Sequence, residues 1–165
     1  MATVAPGRPP RPLVERARGA RLLIVEARFY GDLADALVAG AMAELARNDA
    51  TADRMAVPGA FEIPGAISII ASRAAGTGST YDGYLALGCV IRGETSHYDY
   101  VCGESARGLM DLAVQRQLAI GYGILTVETE EQAWARAAAN RGDKGGDVAH
   151  ACLAMIGLRR QAGLR

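Results

Sequence analysis

Short apolar runs alternate along the chain with longer segments in which apolar residues repeat at helical spacing. The runs cover residues 22–25, 55–57, 84–91 and 123–127. The clearest helical stripe follows the first run, at Leu33, Leu37, Val38, Ala41, Met42 and Leu45. Because the runs are continuously apolar rather than alternating, we expect strands that are buried on both faces. The pattern predicts an α/β protein, a three-layer α/β/α sandwich around a central parallel sheet of four strands.

Local signals predict the other helices. They are expected over residues 63–75, 96–118, 129–139 and 147–160. Ser96 and Asp99 have the spacing of a capping box, and Thr129 stands where the next helix begins. The two glycines of residues 76–80 precede a strand instead of following one, so we reject a dinucleotide-binding fingerprint.

The first 18 residues differ from the rest of the chain. Residues 5–12 contain four prolines, which exclude a helix or an inner strand. We predict a flexible arm over residues 1–18 and a single domain over residues 19–165. The arm lacks the apolar centre of a secretion signal.

Composition narrows the class of protein. The chain has 165 residues, of which 50% are hydrophobic, enough for one domain with a substantial core. Lys+Arg and Asp+Glu are both 18, so no net field attracts nucleic acid or an anionic membrane. No apolar run approaches the ~20 residues of a membrane span, so we expect a soluble protein. The three cysteines match no zinc-site spacing, and a cytoplasmic location is the default expectation.

The segment after the third apolar run carries the strongest chemical signal. The strand ends at Arg92-Gly93, and a helix begins within a few residues. A glycine turn that leads into a helix places backbone N–H groups and the positive helix end at one point, which favours an anion. His97 adds a group that gains and loses protons near neutral pH.

The carboxyl ends of parallel strands lie at one edge of a sheet, so four loops are expected to meet there. They contain Phe29-Tyr30, residues 57–64, residues 92–97 and the segment that leads to Arg136. Together they offer aromatic rings, a carboxylate, an anion site, a histidine and an arginine. This set suits a flat polar ring with a polyol tail, and a phosphate.

Each of these residues also has an ordinary structural interpretation. Phe29 and Phe61 could belong to the core, and Glu62 could stabilise the first turn of its helix. Arg136 and Lys144 could be solvated charges. We assign no role to His150 at this stage.

Several long motifs, in order and at matching gaps over residues 20–160, resemble the 6,7-dimethyl-8-ribityllumazine synthase family. The motifs are Val57-Pro58-Gly59-Ala60-Phe61-Glu62-Ile63-Pro64, the segment from Gly88 to Asp99, Gly123-Ile124-Leu125-Thr126, Glu131-Gln132-Ala133 with Arg136, and Gly142-Asp143-Lys144-Gly145. The resemblance implies a flavodoxin-like fold. It also implies a transferase that condenses 5-amino-6-(D-ribitylamino)uracil with 3,4-dihydroxy-2-butanone 4-phosphate. The products are the lumazine, phosphate and water, in the penultimate step of riboflavin biosynthesis.

The resemblance implies a role for each matching residue. One group is expected to hold the ring and the ribityl chain: Phe29, Ala60, Phe61, Glu62, Val90, Ile91 and Tyr122. Tyr122 stands where the family supplies an aromatic residue from a neighbouring subunit. A second group is expected to bind phosphate: Gly93, Glu94, Thr95 and Arg136. His97 is the expected catalytic proton carrier, and Lys144 is expected near the site without an assigned role.

The resemblance further implies a homopentamer with active sites between subunits, small-molecule substrates, and no cofactor or metal. Some members of the family assemble sixty subunits into a shell. The proline-rich arm is poorly suited to adding a strand to a neighbour's sheet, which favours a free pentamer here.

Glu94 occupies a position where the family often has a small residue. An inward carboxylate there would weaken phosphate binding, whereas an outward one would be harmless. Two alternative functions stay open. One is the archaeal type of riboflavin synthase, although the Phe61-Glu62 pair, His97 and Arg136 favour the lumazine-forming enzyme. The other is a flavin-binding or scaffold protein without turnover.

Overall fold

The computed structural model describes residues 8–73 and 80–164 of the chain. Residues 1–7 of the predicted arm and residues 76–79 of the predicted glycine loop lie outside these ranges. The sheet contains four parallel strands in the order β2-β1-β3-β4. They are β1 (Arg21–Ala27), β2 (Thr51–Val57), β3 (Gly83–Ile91) and β4 (Ile120–Val127).

Helices cover both faces of this sheet. They are α1 (Gly31–Arg47), α2 (Ile63–Ala71), α3 (His97–Gln115), α4 (Glu130–Ala137) and α5 (Lys144–Gln161), with short 3-10 turns at Glu15–Ala17 and Ala60–Glu62. Side chains from α1, α4 and α5 fill the core on one face. Those from α2 and α3 fill the core on the other. The predicted three-layer α/β/α architecture is therefore confirmed.

Strand β2 is longer than its apolar run, because charged residues continue it toward the amino end. Arg54 pairs in register with Ile24 of β1, and Asp53 with Leu23. The side chain of Asp53 accepts a hydrogen bond from Tyr81. An edge strand has one neighbour and stays partly exposed, so it tolerates charges that an inner strand excludes. The apolar pattern therefore located only the end of β2.

The helix boundaries also differ in detail from those predicted. Gln117 has a φ of 56°, which stops α3 three residues before the expected end. The capping box at Ser96 is wrong, because that side chain makes no capping hydrogen bond. Thr129 does cap α4, since its Oγ1 accepts the N–H of Gln132 at 3.2 Å. Asp143 caps α5 and starts that helix at Lys144, earlier than predicted.

Helices α1 and α5 cross closely because glycines remove side chains from their contact. A Cβ at Gly145 would collide with the carbonyl oxygen of Leu37, and one at Gly40 with the Asp143 carboxylate. Residues 8–18 lie against this pair of helices, and Ala17 is fully buried. Among the described helices, none is long and apolar enough to cross a membrane.

Candidate functional site

A cavity of about 490 Å³ opens at the carboxyl ends of β1 and β3. Three of the four predicted loops line it. The predicted site residues that line it are Phe29, Ala60, Phe61, Glu62, Val90, Ile91, Gly93, Thr95 and His97. The tight turns after β1, β2 and β3 place these residues around one opening, as the topology of a parallel sheet requires.

Two phenylalanine side chains at this cavity are unusually exposed. Phe29 is 75% exposed and Phe61 is 58% exposed. The ring of Phe29 meets Tyr30 edge to face, with 5.0 Å between centroids, which leaves its faces available. A free aromatic face beside a cavity is suited to stacking on a flat ring or to burial in a protein contact.

The turn Ala60–Glu62 presents one carboxylate to the cavity. Pro58-Gly59 ends β2, and the chain makes a single 3-10 turn before α2 begins at Ile63. A Cβ at Gly59 would lie 3.2 Å from Oε2 of Glu62, so the carboxylate folds back over the glycine. Ala60 is largely buried and lines the cavity. The turn thus combines an acceptor for hydroxyl groups with accessible backbone.

The loop from Arg92 to His97 forms the opposite wall. A Cβ at Gly93 would meet no atom within 4 Å, so the space beside the loop is open. Thr95 Oγ1 accepts the N–H of His97 at 3.4 Å, and α3 begins at His97. This strand–turn–helix geometry is the one expected for an anion site. Glu94 is exposed and does not line the cavity, which agrees with an outward carboxylate.

Arg92 fixes this loop to its surroundings. Its Nε donates to both Glu128 carboxylate oxygens, at 2.9 and 3.1 Å, and Nη1 donates to Asp99 at 3.3 Å. The loop after β3 is thereby tied to the turn after β4. Sequence reasoning used Arg92 only as the end of the strand, and it missed this function.

The remaining predicted residues line a second cavity of about 280 Å³ along β4. Its lining comprises Tyr122, Gly123, Ile124, Leu125, Thr126, Arg136 and Lys144. Tyr122 is 43% exposed, and partial burial raises the pKa of its hydroxyl. Arg136 donates from Nη1 to the carbonyl oxygen of Gln132 at 2.9 Å. Apart from Glu94, the predicted site residues therefore lie in two separate cavities of one chain.

A buried carboxylate near the end of β1, before the loop that holds Phe29, was missed by sequence reasoning. Glu26, near the end of β1, is 3% exposed. It accepts hydrogen bonds from Arg54 at 2.8 and 2.9 Å and from Arg28 at 2.7 Å. Burial raises the pKa of Glu26, but these arginines outweigh burial and hold it below its usual value. The sequence did contain a signal for this carboxylate, since Glu26 is an acidic residue that directly follows the apolar run of β1 and comes shortly before Phe29.

Within the described residues, no group of three or more His, Cys, Asp or Glu side chains is arranged to hold a metal ion. Cys89 lines the first cavity, and burial raises the pKa of its thiol to about 11. A thiol with that pKa is almost entirely neutral at neutral pH, so it contributes apolar surface rather than a nucleophile.

The fold defines an α/β protein of the flavodoxin-like class, with a cavity at the carboxyl ends of its strands. A sequence model of the 6,7-dimethyl-8-ribityllumazine synthase family matches residues 19–160. The chain belongs to that family.

Curated relatives agree with this assignment. The chain is 56% identical over 143 residues to 6,7-dimethyl-8-ribityllumazine synthase of Rhodopseudomonas palustris strain BisA53, which covers 87% of this chain and 88% of the relative. It is 58% identical over 142 residues to 6,7-dimethyl-8-ribityllumazine synthase 1 of Rhizobium meliloti strain 1021, covering 86% and 93%. It is 52% identical over 160 residues to the enzyme of Methylorubrum extorquens strain PA1, covering 97% and 92%. The predicted family, fold class, enzyme class and condensation reaction are thus confirmed.

Proposed function

We propose that this chain forms 6,7-dimethyl-8-ribityllumazine at a site shared by two adjacent copies of itself. The observation that carries this proposal is the division of the predicted residues between two cavities. The first cavity holds the aromatic rings, Glu62, the anion loop and His97. The second holds Tyr122, Arg136 and Lys144. The second cavity supplies the cations, and the first supplies the aromatic rings and the histidine. The first cavity of one copy and the second cavity of an adjacent copy therefore complete one site.

In the first cavity, Phe29 stacks on the pyrimidine ring of the ribitylaminouracil. The Glu62 carboxylate accepts hydrogen bonds from the ribityl hydroxyls, and the backbone of Ala60-Phe61 exchanges hydrogen bonds with them through its N–H and C=O groups. The backbone of Val90 and Ile91 meets the ring edge. The exposure of Phe29 and the fold of Glu62 over Gly59 support these roles.

The phosphate of the butanone lies in the open space beside Gly93, with Glu94 and Thr95 contributing loop backbone. The neighbouring copy supplies Arg136, and Lys144 lies close by. A phosphate dianion is stabilised by a guanidinium and backbone N–H groups together, because both donate hydrogen bonds toward negative charge. The open loop in one cavity and the cations in the other support this pairing.

The reaction requires several proton transfers between these substrates. The amine attacks the ketone to give a carbinolamine, which loses water to form an imine. Phosphate then leaves, and ring closure with loss of water completes the bicycle. His97 lies where it can carry protons between these groups. Much of the acceleration comes from holding two small molecules together in a productive orientation.

The assembly that fits a shared site is a closed ring, in which the first cavity of each copy meets the second cavity of the next. We propose the pentamer. Large apolar side chains on α2 and α3 are exposed and suit burial between copies: Ile69, Tyr100, Met110 and Val114. Residues 8–18 pack on their own α1 and α5, which supports a free pentamer rather than a sixty-subunit shell. All three cysteines are unpaired, which supports a cytoplasmic location.

The first experiment is an assay of lumazine formation from the two substrates, followed by absorbance and mass. The uncatalysed condensation is the essential control. We expect product well above that rate. A folded oligomer that bound flavin or lumazine without accelerating the reaction would instead favour the binding or scaffold function.

Subunit complementation tests the shared site directly. One chain carries Glu62→Ala with His97→Ala in the first cavity, and the other carries Arg136→Ala in the second. If neighbouring copies share each site, a site is intact when its first cavity comes from the Arg136→Ala chain and its second cavity comes from the other variant. In random co-assembly this combination occurs at roughly one quarter of the sites. If one chain builds the whole site, every site keeps a lesion and no activity returns. Sedimentation of the wild-type protein tests the pentamer, and a megadalton particle would contradict it.

A further inference from the structure

Arg11, in the segment predicted as a flexible arm, is held in a nearly buried network of carboxylates. Its side chain is 15% exposed. Nη2 donates to the Asp143 carboxylate at 2.8 Å and to the Asp143 carbonyl oxygen at 3.2 Å. Nε donates to Asp147 at 3.0 Å, and Nη1 lies 3.3 Å from Glu44. The arginine therefore joins residues 8–18 to the first turn of α5.

The first turn of α5 is shaped to receive this guanidinium. A Cβ at Gly146 would lie 2.7 Å from Nη1 of Arg11, so any larger residue would displace it. Asp143 also caps α5 through the N–H of Gly146, at 3.3 Å. Burial lowers the pKa of Arg11, but its bonds to Asp143 and Asp147 outweigh burial, and the net shift is upward. The guanidinium is thus a fixed part of the helix start.

Three cations share the carboxylate of Asp147, at unequal distances. Arg8 Nη1 lies 2.7 Å from it and Arg11 Nη2 lies 2.9 Å away, but Lys144 Nζ lies 3.8 Å away. A carboxylate has about four lone-pair positions, and the two arginines occupy those that allow a short hydrogen bond. Lys144 is left 46% exposed, on the lining of the second cavity.

Lys144 is the only lysine among the eighteen lysine and arginine residues of the chain. Lysine carries a compact charge on a flexible stem, whereas arginine presents a planar fork that grips a carboxylate at two points. An arginine at position 144 would compete for Asp147 more strongly. A lysine beside an occupied carboxylate keeps its charge available for another anion.

We propose that Arg11 is a positioning residue for Lys144. By occupying Asp147 and fixing Asp143, it prevents Asp147 from capturing the Lys144 ammonium group. Lys144 then points its charge toward the phosphate of the substrate in the second cavity. The inference rests on the proposed function, in which that cavity faces phosphate.

Steady-state kinetics with matched arm variants test this role. In Arg11→Ala, only Arg8 still binds Asp147, and Lys144 takes the lone-pair position that Arg11 leaves on Oδ1. The KM for the butanone phosphate then rises on the order of tenfold, while kcat changes little. Arg18→Ala is the matched control, because Arg18 pairs with the exposed Asp49, on the other end of α1 from the cavity loops. Its KM stays at the wild-type value. Arg11→Lys keeps one charge at Asp147 and recovers part of the affinity.

The single lysine allows a second measurement. Trinitrobenzenesulfonate modifies side-chain amines, and peptide mapping separates Lys144 from the terminal amine. We expect Lys144 of Arg11→Ala to react several-fold more slowly than in the wild type, because an ion-paired ammonium loses its proton less readily. Adding Asp147→Asn to Arg11→Ala restores the rate, since the capturing carboxylate is gone. Reaction that is equally fast or faster in Arg11→Ala overturns the proposal.

Two comparisons separate the possible failures. A fall in melting temperature without a change in the phosphate KM or in Lys144 labelling means that Arg11 serves stability alone, which also overturns the proposal. If Arg136→Ala leaves the phosphate KM unchanged as well, the proposed function of the second cavity is at fault. If Arg136→Ala raises this KM and Arg11→Ala does not, only the present inference fails. Should Arg11→Ala not fold, Arg11→Lys supplies the same comparison.

Discussion

The guanidinium of Arg92 lies over the ring of Tyr98, with its Cζ 4.1 Å from the ring centroid. The same guanidinium binds Glu128 and Asp99. One side chain thereby connects the end of β3, the first turn of α3 and the turn after β4. The loop between Arg92 and Tyr98 contains the proposed phosphate site and His97, so its shape depends on this contact.

Replacing Arg92 should weaken binding of the phosphate substrate. We expect Arg92→Ala to raise the KM for the butanone phosphate about tenfold, because a loosened loop no longer aims its N–H groups at one point. Arg18→Ala is the matched control, since Arg18 pairs with the exposed Asp49, away from the cavity loops. Equal KM values for the two variants would contradict a role for Arg92 in shaping the loop.

Replacing His97 should slow turnover without abolishing it. General acid–base catalysis contributes about 10²- to 10⁴-fold, and we expect His97→Ala to lower kcat by about 10²-fold. The residual rate comes from holding the two substrates together. The assay is lumazine formation at saturating substrate. Complete loss of activity, with fold and substrate binding intact, would mean that proton transfer by His97 contributes far more than we infer.

Replacing Glu44 should strongly destabilise the fold. Its carboxylate is 2% exposed and accepts hydrogen bonds from Arg47 at 2.6 Å and from Asn48 at 3.2 Å, with Arg11 and His150 also at 3.3 Å. Removing one member of a buried ionic group leaves its partners uncompensated. We expect Glu44→Ala to lower the free energy of unfolding by about 3–5 kcal/mol, measured in urea.

The control for Glu44→Ala is Arg18→Ala, which breaks an exposed ion pair with Asp49. We expect a much smaller loss of stability there, because water screens an exposed ion pair. Similar losses in the two variants would show that burial of the Glu44 network adds nothing to its contribution.

Two buried thiols make stability fall in alkaline solution. Burial raises the pKa of Cys89 to about 11 and that of Cys152 to about 12, against an ordinary value of 9.0. Below pH 9 both thiols are neutral whether the chain is folded or unfolded. As the pH rises from 9 toward 12, the unfolded chain ionises first, so the free energy of unfolding decreases. Urea unfolding between about pH 8 and pH 11 measures this slope.

The variant Cys89→Ala should show a shallower decrease above pH 9, because one of the two thiols no longer ionises on unfolding. The same slope in both proteins would mean that other groups cause the alkaline loss. In the native protein at neutral pH, iodoacetamide should modify the partly exposed Cys102 before it modifies either buried cysteine.

The local pattern of the sequence predicted the sheet, because continuously apolar runs between turn residues are typical of strands with both faces covered. It also determined three walls of the first cavity, since parallel strands must end at one edge. The prediction from apolar runs failed where a strand contains charged residues instead. Arg54, in the charged half of β2, binds the carboxylate of the buried Glu26. The two residues are distant in the sequence but lie on neighbouring strands of the sheet.

The sequence by itself determined the family and the fold class, and it predicted a set of site residues, because motif identity and hydrophobic periodicity are local properties of the chain. Only the tertiary structure decided how those residues are grouped. It placed Tyr122, Arg136 and Lys144 along the edge strand β4, away from the cavity that holds His97. It also placed Arg11 between α1 and α5. Such groupings depend on which surfaces meet in three dimensions, and no spacing along the chain records that.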